Sequence, residues 1–178
     1  MDKLELFINR LTDYKATVAR AANSSEVSTL VFRFLQEIKA TSVVVPPGLD
    51  RAWLATTVAS STRVISDDPP LSKQVLNDTS AVITAATAAI AETGTLVLYH
   101  RPGQGRRIIS LLPDTHICIV ESQQVFASVP EAVDQLIPSM NEKRPMTWIS
   151  GPSATVDIEL IRVEGVHGPR NLYVIIVD

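Results

Sequence analysis

One cysteine, Cys118, is all the thiol chemistry that the 178 residues offer. A lone thiol excludes an internal disulfide framework and cannot supply the four thiolates of an iron–sulfur cluster or of a cysteine-rich zinc site. Positive charge is not in excess either. Sixteen Lys and Arg against nineteen Asp and Glu give a net charge of -3, without the basic surplus that phosphate-backbone binding uses, so nucleic acid is not expected as a partner. Long apolar runs are missing. The longest stretch free of Asp, Glu, Lys and Arg, Thr79 to Ala91, falls short of the ~18 residues that a membrane span needs. The start, Met1-Asp2-Lys3-Leu4-Glu5, carries acid where a secretion signal would be basic and then apolar. A cytoplasmic protein without membrane contact is expected.

Several motifs are also missing. No Gly-x-Gly-x-x-Gly, Walker or Gly-x-Ser-x-Gly pattern occurs, and His100, His116 and His167 stand far apart, outside any His-x-His or i, i+4 arrangement. No metal site is expected from them. There is no internal repeat, low-complexity tract or long Gly/Ser linker.

What is present is a globular composition, 46% hydrophobic and 20% charged, in a length suited to one core. Leu4, Ile8, Leu11, Val18 and Ala22 fall on one helical stripe, and Val27, Leu30, Val31, Phe34, Leu35 and Ile38 on a second that follows the capping residues around Asn23. These predict a helical N-terminal appendage over residues 1–40. From Thr41 the period changes. Val43-Val44-Val45 is a β-branched run stopped by Pro46-Pro47-Gly48, and Arg63 to Ser66 and Ser80 to Thr84 are further short strands, with helical spacing at Leu49 to Ala59 and Leu71 to Leu76 between them. That alternation predicts an α/β domain over 41–178: a three-layer, Rossmann-like, mainly parallel sheet. Thr95 to Tyr99, His116 to Val120, Met146 to Ser150 and Leu172 to Val177 add strands, and Glu131 to Ile137 a helix.

Glu92 is the one carboxylate in about twenty residues without another formal charge. An apolar setting would require it to be paired, hydrogen-bonded or raised in pKa, as enzymes arrange for an acid, base or nucleophile. The same residue can simply cap a turn beside Thr93, Gly94 and Thr95. Arg101-Pro102-Gly103-Gln104-Gly105-Arg106-Arg107 brings three guanidinium groups to a loop, suited to clamping a carboxylate or phosphate or to a solvated surface. Ser150 to Glu159 follows a predicted strand. There Ser153 or Thr155 suits an N-cap and Asp157 a first-turn acid, or else the segment contacts a ligand at a strand end. His167, between Gly165-Val166 and Gly168, suits acid–base work, anion binding or a hydrogen-bonded turn. Cys118 alternates with apolar neighbours and reads as a buried strand residue.

The run Ile83-Thr84-Ala85-Ala86-Thr87-Ala88-Ala89-Ile90-Ala91-Glu92-Thr93-Gly94-Thr95-Leu96-Val97-Leu98, then Ser110-Leu111-Leu112-Pro113 with His116-Ile117, then Ile149-Ser150-Gly151-Pro152-Ser153 with Asp157-Ile158-Glu159, and finally Gly165-Val166-His167-Gly168-Pro169 resemble the LUD-domain family. The resemblance implies a fold like that of CoA transferases, ribose-phosphate isomerases and formyltetrahydrofolate cyclo-ligase. It also implies a part in oxidising L-lactate to pyruvate beside iron–sulfur partner proteins, with no cofactor in this chain. A second reading is an autonomous enzyme of that fold. In it Glu92 acts on a small anionic substrate held by Thr84, Thr93, Gly94, Thr95, Arg107, Ser153, Thr155, Asp157 and His167, by fold-level analogy with the glutamate nucleophile of CoA transferases.

Overall fold

β-branched and apolar runs too short for helices fold here into a sheet covered on both faces, because such strands lose their apolar area to water unless each face is packed. In the computed structural model, which describes residues 2–140, 144–156, 162–164 and 168–178, the elements follow in the order α1 (Lys3–Asp13), β1 (Thr17–Ala21), α2 (Ser24–Glu37), β2 (Ser42–Val45), α3 (Ala55–Val58), β3 (Arg63–Ser66), α4 (Lys73–Asn77), β4 (Ala81–Ala85), β5 (Ala88–Ile90), β6 (Thr95–Leu98), β7 (Thr115–Glu121), β8 (Val125–Phe126), α5 (Val129–Met140), β9 (Thr147–Ile149), β10 (Ala154–Val156), β11 (Arg162–Glu164) and β12 (Asn171–Val177). Six strands form a wholly parallel sheet in the order β1-β12-β7-β4-β2-β3. The expected α/β, mainly parallel architecture is present.

Period-two alternation assigns the faces. Val43, Val45, Ile83, Ile117, Ile119 and Ile175 pack with Val27, Val31, Phe34 and Leu35 of α2. The opposite face carries Cys118, Val120, Val174 and Ile176 against Phe7 and Leu11 of α1 and Ala89, Leu96 and Leu98 of a second sheet. That smaller sheet, ordered β8-β5-β6-β9, is itself covered on its outer side by Ala132 and Leu136 of α5.

Two expectations are corrected. The first helix does not run to Ala22. It ends at Asp13 in a motif where the Ala16 amide reaches the Leu11 carbonyl at 2.9 Å and the Lys15 amide the Thr12 carbonyl at 2.8 Å, with Lys15 left-handed at φ 67. This closes a helix in the way glycine usually does, so the lysine concealed the stop. Residues Thr17–Ala21 are instead the edge strand of the main sheet, pairing with β12. The second is the helix turn expected after Ser153, which the described residues do not form. Ala154–Val156 is a strand antiparallel to Arg162–Glu164. Ala88–Ile90, inside the small-residue run to which the sequence assigned no element, is a further strand, antiparallel to β6.

Candidate functional site

The connections β2 to β3 and β4 to β7 leave adjacent strands in opposite directions across the sheet. Such a switch of direction opens a crevice at the carboxyl ends of the strands, where α/β sheets bind ligands. Here the segment Tyr99 to Gly105 crosses that crevice. The Gly103 amide donates to the Pro47 carbonyl after β2 at 2.7 Å, and the Ala85 amide at the end of β4 donates to the Gly103 carbonyl at 2.8 Å. Gly48 at φ +80 is required by this crossing, since a Cβ there would lie 2.7 Å from Cβ of Pro102.

The crossing segment delivers cations to the rim. Arg106 donates from Nε and Nη2 to the two oxygens of Asp67 at 2.8 and 2.6 Å, a bidentate pair that anchors the segment to the end of β3. The Asp67 side chain is 1% exposed and also accepts from the Leu71 amide at 3.0 Å. His100, left-handed at φ 50, has both ring nitrogens engaged, Nδ1 with the Gly105 carbonyl at 2.9 Å and Nε2 with the Thr147 hydroxyl at 2.8 Å. Because a carbonyl only accepts, Nδ1 carries the hydrogen and Nε2 accepts from Thr147. Burial lowers the His100 pKa against the Gly105 bond, and the Arg107 charge lowers it further. Together with Arg101, Arg107 and Arg144 these residues surround a cavity of about 660 Å³.

A smaller cavity, about 180 Å³, lies at the other end of the sheet, by the amino ends of β7 and β12. Its walls include Ser110, His116, Ser150, Ser153, Gly168 and Pro169, drawn from three of the four separated motifs. His116 is 1% exposed. Its Nε2 lies 2.7 Å from the Thr84 hydroxyl, which donates onward to Cys118 Sγ at 3.8 Å. In that arrangement Nε2 carries the hydrogen and Nδ1 is a lone pair with no partner among the described residues. Burial lowers the His116 pKa to about 4 and pushes the Cys118 thiol up to about 12, the Thr84 bond opposing the latter. At neutral pH the imidazole is uncharged and the thiol protonated.

The sequence-derived candidates therefore divide. Arg107 stands at the large cavity and Ser153 at the small one. Thr84 supports the small cavity through His116, and Thr95 through Ser150 at 2.7 Å, with Thr93 2.8 Å behind it. Gly94, at φ +59, serves packing instead, since a Cβ would sit 2.7 Å from Cβ of Arg10 in α1. Thr155 belongs to β10, paired opposite Val163. Asp157 and His167 lie outside the described residues. Glu92 joins neither cavity: it is exposed, and its Oε1 accepts from the Val129 amide at the start of α5 at 2.7 Å, a favourable place for a carboxylate. The apolar surroundings expected for it are not found.

His116, His100, Asp67 and Arg144 were not among the site residues proposed from the sequence, although His116 stands in a motif that carries the resemblance. For His116 a signal was present. A histidine two residues from Cys118 in an otherwise apolar strand has to face the same covered layer. Asp67 reads as part of an Asp-Asp-Pro-Pro break, and nothing local announces its partner 39 residues away. Among the described residues no group of three or more His, Cys, Asp and Glu side chains is placed to hold a metal ion.

Comparison with known proteins bears on what these cavities serve. The model of the LUD domain matches residues 4–177. A protein named Lactate utilization protein C from Deinococcus radiodurans is 46% identical over 174 residues, 98% of this chain and 79% of that protein. A second of that name, from an Exiguobacterium species, is 36% identical over 132 residues, 71% of this chain and 57% of its own length. A crystal structure of a DUF162 family protein from Deinococcus radiodurans superimposes with a TM-score of 0.84 at 38% identity, covering 100% of this chain and 99% of that one.

Proposed function

Since the chain belongs to the LUD domain family, we propose that it serves L-lactate utilisation, as a cytoplasmic subunit or accessory protein in the oxidation of L-lactate to pyruvate, beside partner proteins that carry iron–sulfur clusters. The observation that carries this reading is the 46% identity to a Lactate utilization protein C across 98% of the chain. The chemistry of the chain fits it. Its one cysteine is buried and keeps its proton, so cluster thiolates and the electron transfer they support are assigned to the partners. The arginine-lined cavity supplies this chain's part, the recognition of an anion. No step is assigned to Glu92, whose carboxylate is already bonded to a helix start.

Deletion of the corresponding gene in its own organism tests the proposal. Loss of growth on L-lactate, with growth on glucose retained and iron–sulfur proteins co-purifying with the tagged chain in the wild type, is the expected result. Undiminished growth of the deletion strain on L-lactate would overturn it.

A further inference from the structure

The geometry points to an organic phosphate as the ligand of the arginine-lined cavity: an anion carrying at least two negative charges and larger than lactate. This deepens the proposed function only in using the same cavity, and it rests on that reading for nothing else. Charge is the first argument. The chain as a whole is acidic, at -3, yet the residues lining this cavity hold four guanidinium groups against two carboxylates. A monocarboxylate answers one guanidinium by a bidentate contact, whereas a phosphate ester or diphosphate presents charge and acceptor oxygens to several.

Preorganisation is the second. The only fully buried carboxylate at the site, Asp67, is consumed by Arg106, which fixes the backbone from which Arg107 projects. Arg107 is exposed at the cavity and makes no ion pair among the described residues. With the backbone held in this way, the ordering cost on binding an anion is confined to the Arg107 side chain itself.

Size is the third. The 660 Å³ fall within the range of about 300–1,000 Å³ for sites that enclose a cofactor-sized ligand, and a three-carbon acid would leave most of that space to water. Pro47, Pro70 and Pro102 give the cavity apolar, rigid surfaces, suited to the carbon part of a ligand whose phosphates meet the arginines.

Calorimetry at constant ionic strength on the full chain tests this, with ADP, pyrophosphate, inorganic phosphate and L-lactate as probes. ADP is expected to bind more tightly than pyrophosphate, pyrophosphate more tightly than phosphate, and L-lactate no better than chloride. Arg107→Ala, at an exposed position outside the core, is expected to weaken ADP about tenfold, the equivalent of about 1.4 kcal/mol, with its melting temperature unchanged. L-lactate binding as tightly as ADP, no binding by any phosphate, pyrophosphate outbinding ADP, or full ADP affinity in Arg107→Ala would each overturn the inference. The growth phenotype of the deletion strain is independent of all four, so the two proposals fail separately.

Discussion

The imidazole of His116 is enclosed between the two sheets, and its folded pKa near 4 lies below the 6.5 of an exposed histidine. Between those values the unfolded chain takes up a proton that the folded chain does not, so folding stability rises with pH through this window. The contribution is fully present above pH 6.5, is lost progressively as the pH falls towards 4, and amounts to about 3 kcal/mol when converted at 1.36 kcal/mol per unit. His100, also lowered chiefly by burial, adds in the same direction. Urea unfolding of His116→Gln as a function of pH is expected to show a shallower fall between pH 6.5 and 4 than the wild type. Equal slopes would mean that the ring is not enclosed as described. Cys118 lies beside this histidine, and its raised pKa makes it an unreactive core thiol rather than a nucleophile.

At the scale of elements, helix ends decide where strands begin. Both α1 and α2 stop in the same way. The Ala40 amide reaches the Leu35 carbonyl at 2.8 Å and the Lys39 amide the Gln36 carbonyl at 3.0 Å, with Lys39 left-handed at φ 53. The helix α5 is built at its other end. Ala127 donates to Glu131 at 2.7 Å, and Val129 donates to Glu92 at 2.7 Å, so Glu92 is a cap supplied from the β5–β6 turn. Glu92→Ala is expected to cost about 1 kcal/mol, while Glu92→Gln, which keeps an acceptor, is expected to cost less. Neither should alter growth on L-lactate. A growth defect in Glu92→Gln with normal stability would return this residue to the reaction.

The same elements show how far the sequence was legible. Val43-Val44-Val45 and Arg63 to Ser66 declared themselves as strands because β-branched runs ended at proline or paired acids. The strand Thr17–Ala21 did not, since Val18 and Ala22 prolong a helical stripe and Lys15 occupies a position where glycine would have marked the stop. Asn23 was legible as a cap, and it accepts from the Glu26 amide at 3.0 Å while Glu26 accepts from the Ala22 amide at 2.9 Å. For the candidate site, Arg107 followed from a local concentration of charge. Asp67 and Arg106 meet only because β3 and the crossing segment converge at one end of the sheet, and a contact of that kind leaves no local mark.

Across the whole molecule, two cavities of different chemistry lie at opposite ends of one parallel sheet. The larger, at the carboxyl ends, is rimmed by guanidinium groups. The smaller, at the amino ends of β7 and β12, is lined among the described residues by hydroxyl groups and a neutral imidazole, with no formal charge. They are joined through Thr147, which lines the smaller and whose hydroxyl donates to His100 at the larger. The proposed anion recognition is accordingly assigned to the carboxyl end, where α/β folds place ligands and this sequence places arginine. The most direct measurement is growth on L-lactate of a strain lacking its own copy and carrying either the wild-type chain or Arg107→Glu at equal soluble abundance. The wild type is expected to restore growth and the charge-reversed chain to fail. Equal growth of the two would contradict the assignment of the arginine-lined cavity to lactate utilisation.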